Sequence, residues 1–198
     1  MHNLEDQRRS FIRDGGRFLA FPIAGAIVWL GVGLASLAVP GPIALYVLLF
    51  ATGAIFPLAL LIARFTKQQV FQPGNPFASL MGLAVLMVNL LWALHIVLVI
   101  RLPAVAPLSI AMALGIHWIV FGWVLQSPIG LIHAIGRCLL CTAAFLLFPE
   151  HSLCAVALSV VLCYALTIFQ LWMHFQRETV VTKAPASAPE LQLDAAPL

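Results

Sequence analysis

Gln126–Phe148 reads QSPIGLIHAIGRCLLCTAAFLLF. After the Ser127-Pro128 turn, residues 128–148 form one apolar run, close to the roughly 20 residues a helix needs to cross about 30 Å of hydrocarbon. Such a helix has no continuous polar face and suits lipid or protein surroundings rather than water. Inside it stand a histidine, His133, and a formal charge, Arg137. Five more runs of similar length lie at about 18–39, 43–63, 77–100, 103–125 and 153–175. The expected fold is therefore all-α: a polytopic membrane bundle of six transmembrane helices within residues 18–176.

The composition points the same way. With 198 residues, 63% of them hydrophobic and 9% charged, and a mean hydropathy of +1.05, the chain lacks the polar surface that keeps a globule of this size in water. The lipid bilayer is the expected partner. A net charge of +3 does not indicate nucleic acid, because the basic residues gather at the ends and in one loop with little aromatic interleaving. The connectors carry turn chemistry: Pro40-Gly41-Pro42, Gln72-Pro73-Gly74-Asn75-Pro76, Pro103, Ser127-Pro128 and Pro149. Pro22, Pro57 and Pro107 fall inside or near the ends of runs, where neighbouring groups must satisfy the freed carbonyls.

Six crossings place both termini on one side. Arg8, Arg9, Arg13, Arg17, Arg64, Lys67, Arg177 and Lys183 then share that side, Arg101 stands alone on the other, and Arg137 lies within the membrane. The excess predicts an N-in/C-in arrangement in the cell's inner (plasma) membrane, with both termini cytoplasmic. Residues 1–17 read as a cytoplasmic juxtamembrane segment containing an amphipathic helix. Asn3 caps it, Glu5 and Asp6 suit its first turn, Leu4, Phe11 and Ile12 form its apolar side, and Gly15-Gly16 ends it. Within it, Gln7 to Arg13, QRRSFIR, also has the spacing of a twin-arginine export signal, while a basic cytoplasmic flank explains the same residues. Residues 177–198, rich in Ala, Pro and Ser, read as a disordered cytoplasmic tail. The chain has no long soluble loop and no nucleotide-binding motif, so energy-coupled transport requires a partner subunit; a homo-oligomer is equally open.

Small residues at four-residue spacing mark faces where helices approach: Gly130, Ala134, Cys138 and Thr142 in the fifth run, Ala155, Ser159 and Cys163 in the sixth, Gly25 with Gly33 and Gly31 with Ala35 in the first. The polar residues define a layer. His133 and Arg137, four apart, share one helix face. His117 lies ten residues before Ser127 and Arg137 ten after, so an antiparallel hairpin puts them at one depth. Asn89 is about a dozen residues from its own cytoplasmic end and reaches a similar level on a 1.5 Å rise, with His133 about 6 Å nearer the cytoplasm and His95 nearer the outer surface. The candidate ligand-binding residues are Arg137, His133, His117 and Asn89. An arginine without a buried carboxylate can hold a small anionic or carbonyl-bearing solute, with neutral histidines sharing the hydrogen bonding. It can equally donate to carbonyls freed by a proline, to Asn89 or to the histidines, and so knit helices together in a structural or regulatory subunit.

Other chemistries have less support. Cys138-x-x-Cys141 lacks a companion pair or a spaced histidine set, and the four cysteines read as small packing residues, with no metal or catalytic site assigned. A redox component binding haem or quinone through His117, His133 and Arg137 remains the alternative from another class, although His117 and His133 differ by about 6 Å in depth. No Asp or Glu lies deep enough for a carboxylate pair, and no cofactor is specified.

The head LEDQRRSFIRDGG leading to Trp29 and Gly31, then Ile55-Phe56-Pro57-Leu58, Gly74-Asn75-Pro76 and Gly136-Arg137, resembles a family of small bacterial integral-membrane proteins of unknown function. The resemblance covers most of residues 4 to 175. It implies a six-helix membrane fold and supplies no activity and no functional residue.

Overall fold

The computed structural model describes the backbone of residues 3–183 and the side chains of residues 3–176. Ten α-helices and one 3-10 turn follow one another, with no strand among the described residues: α1 Leu4–Gly15, α2 Ala20–Ala38, α3 Gly41–Gly53, α4 Ile55–Thr66, α5 Pro76–Leu90, α6 Trp92–Arg101, α7 Ala106–Ile116, α8 Trp118–Val124, α9 Ile129–Leu147, the 3-10 turn Pro149–His151 and α10 Ser152–Lys183. Five stretches are long and apolar enough to cross a membrane: Ala20–Ala38, Pro76–Arg101, Ala106–Val124, Ile129–Leu147 and Pro149–Gln176. The pair α3 and α4, bent by 43°, makes a sixth if counted as one broken span. Large apolar side chains point outward along these helices, among them Phe50, Leu90, Ile100, Leu139 and Leu147. Such an apolar surface suits a lipid surrounding. The far end of the expected tail, beyond Lys183, lies outside the described residues.

Three of the six apolar runs are broken, each by a local cause or a tightened turn. At Ala54, between α3 and α4, Pro57 has no N–H to give the Gly53 carbonyl, and the Ala54 N–H turns instead to Ala51 at 2.9 Å. Between α5 and α6, Asn89 Nδ2 donates to the Val85 carbonyl at 2.8 Å, competing with the helix ladder, and the Leu91 N–H tightens onto Val88 at 3.2 Å. Between α7 and α8 the ladder passes through a tight turn at His117, whose carbonyl accepts from the Val120 N–H at 3.1 Å.

The bundle has a centre and a rim. α10 packs on α2 and α9, α9 on α7 and α8, and α2 on α3 and α4. Half of the Ala106–Val124 span is buried against 17% of Pro76–Arg101, so α5 and α6 form the outer wall. Trp29, Leu48, Ile110, Trp118, Cys141, Val156, Val160, Tyr164 and Leu171 belong to one continuous core. Glycine sets how closely the central helices meet. Tyr164 of α10 fills the space where a side chain at Gly25 of α2 would stand, and Ala157 comes within 3.3 Å of the equivalent position at Gly33. Gly31 faces open space, so only one of the two glycine pairs in α2 serves the contact. α8 and α9 touch backbone to backbone, with a Cβ on Gly130 falling onto the Trp118 carbonyl and 2.7 Å from Gly122 Cα.

α1 docks on the connection between α4 and α5 instead of lying free. Its Asn3 side chain accepts from the Glu5 N–H at 3.3 Å. Asn75 Nδ2 donates to Gln7 O at 2.9 Å, Gln72 Nε2 to Phe11 O at 3.1 Å, and the Gln69 N–H to Asp14 O at 3.0 Å. Phe11 packs with Phe77 and Val124. Arg8 is buried, 3.0 Å from Glu5, with its guanidinium 5.0 Å from the Phe77 ring and 5.2 Å from the Trp123 ring. A hydrogen bond from the neighbouring Arg13 guanidinium, 2.9 Å away, holds the Asp14 carboxyl below its ordinary range. Phe18 meets Phe175 at 6.2 Å between ring centres, which brings the start of α2 and the far part of α10 to one end of the bundle.

The α8–α9 crossing leaves no room for a β-branched side chain. Gly130→Val is expected to cost about 3 kcal/mol or more, at the upper end of core overpacking, read as a lowered unfolding midpoint in detergent. Gly31→Val, at open space, should leave that midpoint within about 0.5 kcal/mol of the native value.

Candidate functional site

Arg137 is wholly enclosed, although no Asp or Glu lies anywhere in the helix core among the described residues. α9 supplies it on the face that also buries His133, Ala134 and Cys141, and small residues around it make the room. Its aliphatic stem runs against Gly115 of α7, where a Cβ would stand 2.7 Å from Arg137 Cδ. Its guanidinium carbon lies 5.5 Å from the Trp29 ring of α2 and 5.1 Å from the Tyr164 ring of α10. Four elements therefore meet at one cation.

A chain of hydrogen bonds leads from it. Thr167 Oγ1 gives its proton to the Cys163 carbonyl at 2.8 Å, so toward His133 Nδ1, 2.7 Å away, it acts as acceptor. That assigns the His133 proton to Nδ1 and leaves Nε2 to accept from Arg137 Nη1 at a long 3.5 Å. His133 is thereby neutral, oriented by α10, and packed at a tilt against the rings of Trp118 at 4.5 Å and Tyr164 at 5.1 Å. Both of its ring nitrogens are engaged. A haem iron would have to displace either Thr167 or Arg137 to reach this ring.

The rest of the guanidinium is unmet. Arg137 Nε and Nη2 have no hydrogen-bond partner, and neither do the indole Nε1 atoms of Trp29 and Trp118 nor His117 Nδ1. Removing a cation from water costs several kcal/mol even after the surroundings relax. Two aromatic contacts worth about 2 kcal/mol each when desolvated and one long hydrogen bond offset only part of that. Each unpaired buried donor adds about 1–3 kcal/mol more.

The layer expected from depth counting is thus partly assembled. Arg137, His133 and His117 come together, the last within electrostatic reach of the guanidinium at the α7–α8 break. Asn89 does not join them. It stands exposed on α5 with its side-chain amide spent on its own helix. Counting residues along a hairpin estimates height, but it assigns neither rotation about the helix axis nor distance from the bundle centre, and α5 lies on the rim. His95 is buried at the α6–α7 contact, 2.9 Å from Ser109 Oγ, in a groove of about 330 Å³ otherwise lined by apolar residues such as Leu98 and Met112. Glu150 and His151 line a larger cavity, of about 540 Å³, with Tyr46 and Cys154. Among the described residues no group of three or more His, Cys, Asp or Glu is placed to hold a metal ion.

Trp29, Gly115, Tyr164 and Thr167 were not marked by their type alone. Each is an ordinary resident of an apolar helix, and only Gly115, two positions from His117 and level with Arg137, carried a legible hint of close approach.

Residues 4–174 match the model of a family described as a family of unknown function (DUF7010). The chain belongs to that family. The match spans the head, all the apolar runs and the whole Arg137 site, which bears out the resemblance carried by the Leu4 head, Ile55-Phe56-Pro57-Leu58 and Gly136-Arg137. No curated protein and no solved structure matches the chain.

Thr167 is the side chain that accepts the His133 Nδ1 proton. Thr167→Val should leave the buried Nδ1–H without an acceptor and cost about 1–3 kcal/mol, whereas Thr167→Ser keeps the hydroxyl and should stay within about 1 kcal/mol of the native protein. Chemical or thermal unfolding of the three proteins in one detergent checks this.

Proposed function

We propose that this membrane protein binds a small anionic or polar solute inside its helical bundle, at Arg137, and lets it pass across the bilayer. The observation that carries the reading is the set of unmet donors. The fully enclosed guanidinium has two nitrogens, Nε and Nη2, whose N–H bonds are all unpaired, and no carboxylate lies within the core among the described residues. A purely structural arginine is expected to spend its donors on carbonyls or side chains. A solute that accepts from Nε and Nη2 would relieve the unpaired donors, and in a medium of low dielectric the attraction is strong. His133 then serves as a positioning residue that holds the guanidinium by Nη1, and Thr167 fixes His133 in turn.

The reading extends to placement. Six crossings, with the bent α3–α4 pair as one, put the basic residues of α1 and of the α4–α5 connection on the same side as the end of α10. That supports an inner-membrane protein with both termini cytoplasmic. A reporter enzyme active only outside the cytoplasm should be silent when fused after residue 183 and active when inserted near Arg101; an active fusion at the first position would overturn the orientation.

The binding claim is tested by solute flux into vesicles reconstituted with native protein and with Arg137→Gln at matched folding. Truncating one partner of a desolvated charge contact costs about 2–5 kcal/mol, so flux of a bound anion at low concentration should fall on the order of thirtyfold or more. Equal flux in both proteins across a broad panel of anionic and polar solutes would sink the proposal and favour a girdle that only ties α2, α7, α9 and α10 together.

A further inference from the structure

The unmet part of Arg137 has a definite shape. Nη1 is held by His133 Nε2, and the Trp29 and Tyr164 rings pack beside the guanidinium carbon. The two nitrogens without partners, Nε and Nη2, share one edge. The Nε–H and the Nη2–H beside it project side by side, in the plane of the group, as the fork that receives two coplanar oxygens of one anion. A lysine-like point charge has no such preference, and a spherical halide between the two donors receives bent bonds from both.

Charge sets a second limit. With His117 neutral, as a second cation beside the guanidinium would be repelled, the site carries a single formal positive charge: His133 is neutral in its hydrogen-bonded chain and no acid lies in the core among the described residues. A singly charged anion brings the enclosed region to neutrality; a doubly charged one leaves a net charge where a surplus is costly. The unpartnered indole N–H groups of Trp29, packed on the guanidinium, and of Trp118, packed on His133, can only donate, which again suits an acceptor-rich guest.

We propose that the Arg137 site takes a planar, singly charged oxyanion, a small monocarboxylate or an inorganic ion such as nitrate, bound side-on through Nε and Nη2. The inference rests on the reading that Arg137 holds a solute, and it names that solute's class.

Calorimetric titration of the native detergent-solubilised protein with formate, nitrate, chloride and sulfate tests it. Formate and nitrate are expected to bind at least about tenfold more tightly than chloride and sulfate. Arg137→Lys keeps the charge and loses the fork, so the preference should fall to about onefold while chloride binding persists. If chloride or sulfate binds the native protein as tightly as formate and nitrate, the fork assignment is overturned and the anion site survives. If none of the four binds, the oxyanion assignment falls, and the broader reading is decided by the flux comparison alone. The native series alone separates these outcomes should the lysine variant not fold.

Discussion

A guanidinium enclosed among apolar helices without a carboxylate must be met by neutral groups, and the centre of this bundle is arranged around that requirement. The fixed charge cannot be removed by deprotonation, because arginine does not give up its proton in proteins. Nor can it reach the membrane surface from the middle of α9, where Gly115, Trp29 and Tyr164 close around it. Aromatic faces, a neutral imidazole and a threonine hydroxyl replace the missing counter-ion, and each comes from an element that must be at the right distance. The close contacts at Gly25, Gly33, Gly115 and Gly130 supply those distances.

The order of the hydrogen-bond chain also gives it direction. Protons point from Arg137 to His133, from His133 to Thr167, and from Thr167 to the Cys163 carbonyl, so every link has one donor and one acceptor. A protonated His133 would set two cations against each other at 3.5 Å. In this arrangement the His133 ring has no nitrogen free for a proton relay or for a metal or haem iron. The α5–α6 wall contributes apolar surface and the separate His95–Ser109 pair, and takes no part in the cation's surroundings.

A second cation is met by comparable means at the end of the bundle. Arg8 is buried beside Phe77 and Trp123, but there Glu5 is within 3.0 Å and the solvent is near. The contrast separates the two roles. Arg8 has its charge answered by Glu5 within α1, with only its Nε buried and unpaired, and ties that helix to α5 and α8, whereas Arg137 has no carboxylate beside it and leaves both Nε and Nη2 unpaired.

Hydropathy, length and capping chemistry were enough to read an all-helical membrane chain, the positions of its apolar runs and the capped helix at Asn3, because each of these depends on neighbours within a few residues. The same local reading singled out Arg137 as the charge that membrane orientation does not explain, paired it with His133 four residues earlier, and placed His117 level with it. Lateral arrangement was beyond it. Which helices occupy the centre, and which way each is rotated, follow from the packing of surfaces far apart in the chain. That packing turned Asn89 outward, brought Trp29, Gly115 and Tyr164 to the guanidinium and Thr167 to His133, and left Nε and Nη2 without partners.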